Sequence, residues 1–157
     1  MTKLIIIEGP DCAGKSTYIK MIKADLTRKG YKFYSRKATQ STTDADYSKW
    51  LQTVEDNPGI MLMDRCWISD KIYSKIKGTK RNVTDNYQKY FNDWAVELGA
   101  KQIVLLPLLQ IILDRYKQRG DDYINEEELR RVYEQYGYIE PPWSIFTNLT
   151  DEVCATK

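Results

Sequence analysis

The sequence predicts a doubly wound α/β protein, a three-layer αβα sandwich around a mostly parallel sheet of about five strands, and three observations predict it. Short apolar runs without polar alternation, Leu4–Ile7, Ile60–Met63 and Gln102–Leu106, read as strands buried on both faces. Stretches with apolar residues at helical spacing separate these runs, the alternation that parallel crossovers require. The first run passes straight into a glycine-bounded loop and then into an amphipathic stretch. At 157 residues the chain fits one domain, spanning 1–157, with enough length to bury a sizeable core.

In chain order, Leu4–Ile7 lead into Gly9–Ser16, GPDCAGKS, which satisfies G-x-x-x-x-G-K-[ST] in full. Each fixed residue has a physical task. Gly9 and Gly14 let the backbone wind tightly, so that N–H groups of the loop and helix start, from Cys12 and Ala13 to Thr17, converge on phosphate oxygens. Lys15 reaches the β and γ phosphates and Ser16 offers its hydroxyl to Mg²⁺. Tyr18, Ile19, Met21, Ile22 and Leu26 then recur at helical spacing over Ser16–Arg28, and Lys29-Gly30 stops the helix. Tyr31–Ser35 read as an aromatic second strand near the sheet edge. Arg36 and Lys37 follow at its end, on the side where ligands collect, and read either as a phosphate clamp or as a solvated basic turn.

Asp44–Glu55 carry Tyr47, Trp50, Leu51 and Val54 on one helical face and stop before Asn57-Pro58-Gly59. The third strand, Ile60–Met63, ends in Asp64 and Arg65; a carboxylate at that place can share Mg²⁺ with Ser16. Trp67, Ile68, Ile72, Tyr73 and Ile76 form the core face of the next helix. Lys71–Arg81 is the most basic stretch, either a solvated face or a surface for a polyanion. Thr84–Leu98 predict a helix that buries Tyr87, Tyr90, Phe91, Trp94 and Val96. Gln102–Leu106 form the fourth strand and Leu109–Gln118 a helix with Ile112, Leu113 and Tyr116 inward. Arg115, Lys117 and Arg119 stand just before Gly120, so that residues 115–126 can act as a mobile lid over phosphates before the helix Glu126–Tyr136. Trp143–Thr147 complete the set as a last strand.

Composition narrows the partners. A net charge of +2 with 29% charged residues is too mild to announce nucleic-acid binding. Cys12, Cys66 and Cys154 form no C-x-x-C pair and read as free thiols of a reducing compartment; Cys12 is a small filler of the loop or a reactive thiol. With no signal-peptide pattern and no apolar run of about 18 residues, the expectation is a cytoplasmic protein without membrane contact. The absence of histidine leaves only carboxylates as general bases.

IIIEGPDCAGKST, DRCWISDKIY and RYKQRGDDYINEEEL together resemble the P-loop nucleotide kinases, in particular the thymidylate kinase branch. They look like that branch's phosphate loop, its aspartate-arginine motif with the following helix, and its arginine-bearing lid. The resemblance implies that Lys15 and Ser16 serve ATP and Mg²⁺, that Arg65 holds the acceptor phosphate, that Asp11 lies near the acceptor sugar, and that Arg119 steadies the transferring group. Arg115 belongs with the ATP side. The departures bear on the acceptor: the second strand ends SRKATQ where the branch has an arginine-glutamate-proline motif, and the fourth ends Leu-Leu-Pro where it has an aspartate.

Three functions follow from these residues. A pyrimidine deoxynucleoside monophosphate as acceptor needs no base and would be clamped by Arg65 and Arg36, with Trp67 or Tyr73 as a wall for the ring. A hydroxyl acceptor, such as a hydroxymethylated pyrimidine (5-hydroxymethyluracil) in DNA, needs Glu8, Asp11 or Asp64 as base; some small phage kinases that resemble this chain have that role. A nucleotide-hydrolysing switch is the third. A homodimer is compatible with all of them.

Overall fold

Four consecutive aliphatic side chains can be hidden only in a strand covered on both sides, and β1 (Leu4–Glu8) is buried at every position. In the computed structural model, which describes residues 2–148, β1 lies at the centre of one all-parallel five-stranded sheet of order β2-β3-β1-β4-β5. The other strands are β2 (Phe33–Lys37), β3 (Ile60–Asp64), β4 (Lys101–Leu105) and β5 (Ser144–Phe146). Six helices join and cover them: α1 (Lys15–Arg28), α2 (Asp44–Asp56), α3 (Trp67–Lys77), α4 (Asp85–Glu97), α5 (Leu109–Arg119) and α6 (Glu126–Gly137). The predicted doubly wound, three-layer architecture with five strands is the one found.

Local chemistry sets the helix ends. Thr43 and Asp46 form a reciprocal capping box at α2, as do Asn125 and Glu128 at α6, and the Thr84 hydroxyl caps α4. The N-cap residues of α1, α3 and α5 make no side-chain cap, and at α3 the Glu8 carboxylate takes the Cys66 and Ser69 N–H groups instead. The first N–H groups of α1 are therefore left to a ligand, the arrangement that favours anions.

Two expectations shift. Strand β2 begins and ends two residues later than Tyr31–Ser35, because its parallel register with β3 runs from Phe33 opposite Ile60 to Lys37 opposite Asp64. Arg36 and Lys37 therefore belong to the strand and not to a turn after it. Helix α4 buries only Phe91 and Ala95, whereas Tyr90 and Val96 are more than half exposed, at 53% and 56%. The helix packs mainly on α2, where Phe91 meets Tyr47 edge-on at 5.5 Å, so one narrow stripe suffices. Among the described residues no helix is long and apolar enough to cross a membrane, and Cys12 and Cys66 are free thiols. Cys154 lies outside the described residues.

Candidate active site

The carboxyl ends of β1, β3 and β2 open onto two neighbouring cavities, where ligands of open parallel sheets bind. One, of about 660 Å³, follows the phosphate loop and is lined by Lys15, Ser16, Thr17, Asp64, Arg115 and Arg119 among others. The second, of about 370 Å³, lies between the β2–α2 loop and α3, with Thr39, Gln40, Ser69, Tyr73, Lys80 and Tyr123 in its wall. Asp11, Lys37 and Arg65 border both.

The loop geometry explains its glycines. Gly9 has φ +149°, and a Cβ there would stand 2.5 Å from the Leu105 carbonyl oxygen at the end of β4, so any other residue would push the loop off the sheet. Gly14, at φ +93°, hands the chain into α1 with the left-handed backbone that glycine adopts without strain. Lys15 is almost fully buried, its Nζ donating to the Gly9 and Pro10 carbonyls at 2.9 Å each. Burial, then the nearby Arg65 guanidinium, lowers its pKa to about 7. Ser16 and Thr17 are exposed in the same cavity. Cys12 is buried, and burial raises its thiol pKa above the ordinary value, so it fits a filler of the loop better than a reactive thiol.

Asp64, at the end of β3, presents a buried Oδ1 with no hydrogen-bond partner among the described residues. A bare carboxylate oxygen beside a free serine hydroxyl in one cavity fits the sparse protein ligation of Mg²⁺, which keeps waters and phosphate oxygens for its other positions. On the lid side, the Arg115 guanidinium donates to the Cys12 carbonyl at 3.1 Å and lines the larger cavity. Arg119 is exposed and makes no ion pair among the described residues; Asp121 is occupied by the Tyr123 and Ile124 N–H groups, and Glu126 by Arg130.

Arg65 sits at φ +68°, a left-handed backbone that costs a non-glycine residue about 1–3 kcal/mol. That turn aims its guanidinium back over the loop. It donates to Asp11 at 2.7 Å, to Ser69 Oγ at 2.8 Å and to the Gly9 carbonyl at 3.1 Å, above the Tyr73 ring at 5.4 Å. The Tyr73 hydroxyl accepts the Asp11 N–H at 3.0 Å. Asp11, Arg65 and Tyr73 are thus one preorganised group.

Three predicted residues stand elsewhere. Glu8 is fully buried and borders neither cavity. Its carboxylate accepts from the Gly9, Cys66 and Ser69 N–H groups, from Ser69 Oγ at 2.7 Å and from the Tyr136 hydroxyl at 2.8 Å, which removes it from the candidate bases. Arg36 is exposed, donates to the Ser35 carbonyl and lines neither cavity; Lys37 does instead. Trp67 is buried on the other side of α3, its indole N–H on Asn92 at 3.0 Å, so Tyr73 is the aromatic wall. The basic run also disperses. Lys77 pairs with Glu128, Arg81 with Asp85, and Lys80 turns into the smaller cavity, so Lys71–Arg81 forms no common polyanion face.

Sequence reasoning missed Ser69 and Tyr136. Ser69 carried a signal, lying four residues after Arg65 and hence one helical turn along. Tyr136 carried none, since only the packing of α6 on α3 brings it to Glu8.

No family model matches the chain. It is similar in sequence to the SPbeta prophage-derived uncharacterized protein YorR of Bacillus subtilis (strain 168), 29% identical over 136 residues that cover 85% of this chain and 79% of the relative. The crystal structure of YorR in complex with phosphorylated GDP superposes with a TM-score of 0.70 at 22% identity, covering 96% of this chain and 90% of YorR. Thymidylate kinase from Candida albicans gives a TM-score of 0.61 at 18% identity, over 99% of this chain and 88% of the kinase. Deoxyadenosine kinase from M. mycoides with bound dATP gives 0.57 at 18% identity, over 96% and 95% of the two chains. The fold is that of the P-loop nucleoside and nucleotide kinases.

Proposed function

We propose that this chain is an ATP- and Mg²⁺-dependent phosphotransferase that moves the γ-phosphoryl group of ATP to a deoxynucleoside monophosphate. The observation that carries the reading is the pair of adjoining cavities with Asp11, Lys37 and Arg65 at their junction. A hydrolytic switch needs only the larger cavity; transfer needs a second, and the groups between them must meet both phosphates. The likeness to thymidylate and deoxyadenosine kinases supports phosphotransfer to nucleotides and nucleosides in general. Resemblance of the aspartate-arginine segment to thymidylate kinases favours a pyrimidine base, for which Tyr73 supplies a ring face.

ATP enters with its phosphates on the loop and the N-terminus of α1, where Lys15 leaves the loop carbonyls for the β and γ oxygens. Ser16 and Asp64 would hold Mg²⁺, which when bound neutralises charge on the β and γ phosphates. Arg65 and Lys37 hold the acceptor phosphate at the junction. An acceptor oxygen attacks the γ-phosphorus as the bond to the β–γ bridging oxygen breaks, and ADP leaves. The acceptor is already anionic, so no base is required, and Asp11 serves to fix Arg65. Arg119 meets the γ-phosphoryl group as the lid closes.

A modified base in DNA is the alternative acceptor, and it would have to reach a cavity whose wall is tied across at one place. Asn82 of the α3–α4 connection hydrogen-bonds the Gln40 carbonyl of the β2–α2 loop, tying together two loops of the acceptor cavity's wall. The deciding assay offers γ-labelled ATP with the five common deoxynucleoside monophosphates, the nucleosides, plain DNA and DNA containing 5-hydroxymethyluracil. Purine nucleotides belong in the panel because YorR was solved with phosphorylated GDP. Label on a free pyrimidine monophosphate is expected. Label on DNA alone would overturn the acceptor, and free phosphate alone would overturn transfer.

A further inference from the structure

Helix α3 separates two unlike environments. One face turns Ser69, Tyr73 and Ser74 toward the acceptor cavity, and the other turns Trp67, Lys71, Ile72 and Lys75 into a third cavity of about 360 Å³. That cavity is closed by Asn92 and Gln88 of α4 and by the segment from Gln135 to Trp143 that leads from α6 to β5. Its volume lies at the lower end of small-molecule pockets, which run from about 300 to 1,000 Å³.

The walls are chemically specific. Trp67 and Trp143 are only 5% and 7% exposed, and Tyr138 lies at the mouth. The Trp67 indole N–H is satisfied by Asn92 at 3.0 Å. The Trp143 indole N–H is buried and has no acceptor among the described residues. An indole nitrogen only donates, and a buried one that finds no acceptor costs about 1–3 kcal/mol. Lys71 and Lys75 stand one turn apart on the rim, the first with its ammonium 6.0 Å from the Trp67 ring centroid, the second on Gln135 through a long 3.4 Å bond. Among the described residues Glu140 is the one carboxylate lining the cavity, so positive charge predominates there. The carboxamides of Gln88 and Gln135 offer both donors and acceptors at the edges.

We infer that this cavity is a second small-molecule site, separate from the phosphate-transfer centre, for a flat heteroaromatic ring carrying one anionic group, a carboxylate or a phosphate. The tryptophans supply the apolar surface for the ring, the carboxamides of Gln88 and Gln135 meet its heteroatoms, and Lys71 and Lys75 hold the anion. The size admits a bicyclic ring with one charged substituent, not a dinucleotide. The inference does not rest on the kinase reading, since nothing in it requires turnover.

The test follows the four indole N–H resonances of the ¹⁵N-labelled full chain, those of Trp50, Trp67, Trp94 and Trp143. Two probes are titrated, AMP for the phosphate and indole-3-acetate for the carboxylate. The expected result is a saturable shift of Trp143 and Trp67 with at least one probe, while Trp50 and Trp94 stay in place; which probe acts identifies the anion. Trp143→Phe should weaken that probe about tenfold and leave phosphotransfer within about twofold. The double variant Lys71→Glu and Lys75→Glu changes exposed residues only, and should do the same whether or not Trp143→Phe folds. In Lys15→Ala the Trp143 shift should persist. Absence of a saturable shift with either probe would overturn the site. So would a shift lost in Lys15→Ala, which would trace it to the catalytic centre, or one that follows protein concentration with no probe added, which would trace it to self-association.

Discussion

Tyr136→Phe removes one oxygen from the centre of the molecule and tests how the site is held. Glu8 is fully buried, yet five donors from four segments converge on it: Gly9 of the phosphate loop, Cys66 before α3, Ser69 twice from α3, and Tyr136 of α6. A carboxylate can be carried at that depth only if its lone pairs are met. The 2.8 Å bond from the Tyr136 hydroxyl is a hydrogen bond to a charged group, a class worth about 1.5–3 kcal/mol. For a chain of 157 residues, a loss of about 2 kcal/mol lowers Tm by about 4–8 °C. The same hydroxyl lies 3.0 Å from Ser69 Oγ, which receives Arg65 at 2.8 Å. Freed of one neighbour, Ser69 orients Arg65 less firmly, so KM for the acceptor should rise about three- to tenfold with kcat little changed. Thermal unfolding by circular dichroism and steady-state transfer with the acceptor varied give the two readouts. Glu8→Gln turns an amide donor toward existing donors and should lose more, about 3–5 kcal/mol. A Tyr136→Phe protein that melts within about 1 °C of the parent and keeps its acceptor KM would refute this account of the network.

The remaining predictions concern charge at the two cavities. Lys15 is a base whose pKa is lowered to about 7, so in the free protein it is neutral above that pH and must take up a proton to meet phosphate. Affinity for a non-hydrolysable ATP analogue, measured by calorimetry, should therefore fall about tenfold per pH unit between about 7.5 and 9, and Lys15→Arg should flatten the profile. Arg119→Ala should lower kcat about a thousandfold or more with ATP affinity nearly unchanged, and Arg119→Lys should recover little, because a point charge lacks the planar fork; a kcat within a few-fold of the parent would deny the lid arginine its role. Lys37→Ala should raise acceptor KM at least tenfold while Arg36→Ala changes it less than twofold, and steady-state kinetics showing the reverse would restore the clamp read from the sequence.

How much of this was legible before the fold was known depends on the range over which each interaction acts. The phosphate loop is local: its glycines, lysine and serine lie within eight residues, and backbone sterics alone dictate Gly9 and Gly14. The all-parallel sheet was legible because strands covered on both faces are built from unbroken apolar runs, here Leu4–Ile7, Ile60–Met63 and Ile103–Leu105. What failed were choices between neighbours on one element. Trp67 and Tyr73 both lie on α3, six residues apart, and hydrophobicity cannot say which faces the cavity; the packing of α3 on α6 decides for Tyr73. Tyr90 and Phe91 of α4 differ likewise, since the period gives a stripe but not its width.

Glu8 and Arg36 failed for two further reasons. Proximity to the loop in sequence made Glu8 a candidate base, but β1 is central, so a side chain there is enclosed unless it points out of the strand's end, and Glu8 is enclosed. Ending β2 at Ser35 left Arg36 and Lys37 both as loop residues, free to face the same ligand. Once the register with β3 extends the strand to Lys37, successive side chains must point to opposite sides, and only one of the pair can border the cavities. Lys37 lies opposite Asp64 in that register, level with the carboxylate at the end of β3 and next to the turn that aims Arg65 over the loop. A parallel sheet aligns the ends of its strands, and that alignment gathers Asp11 after β1, Lys37 at the end of β2 and Arg65 after β3 at the junction of the two cavities, with Asp64 lining the larger one.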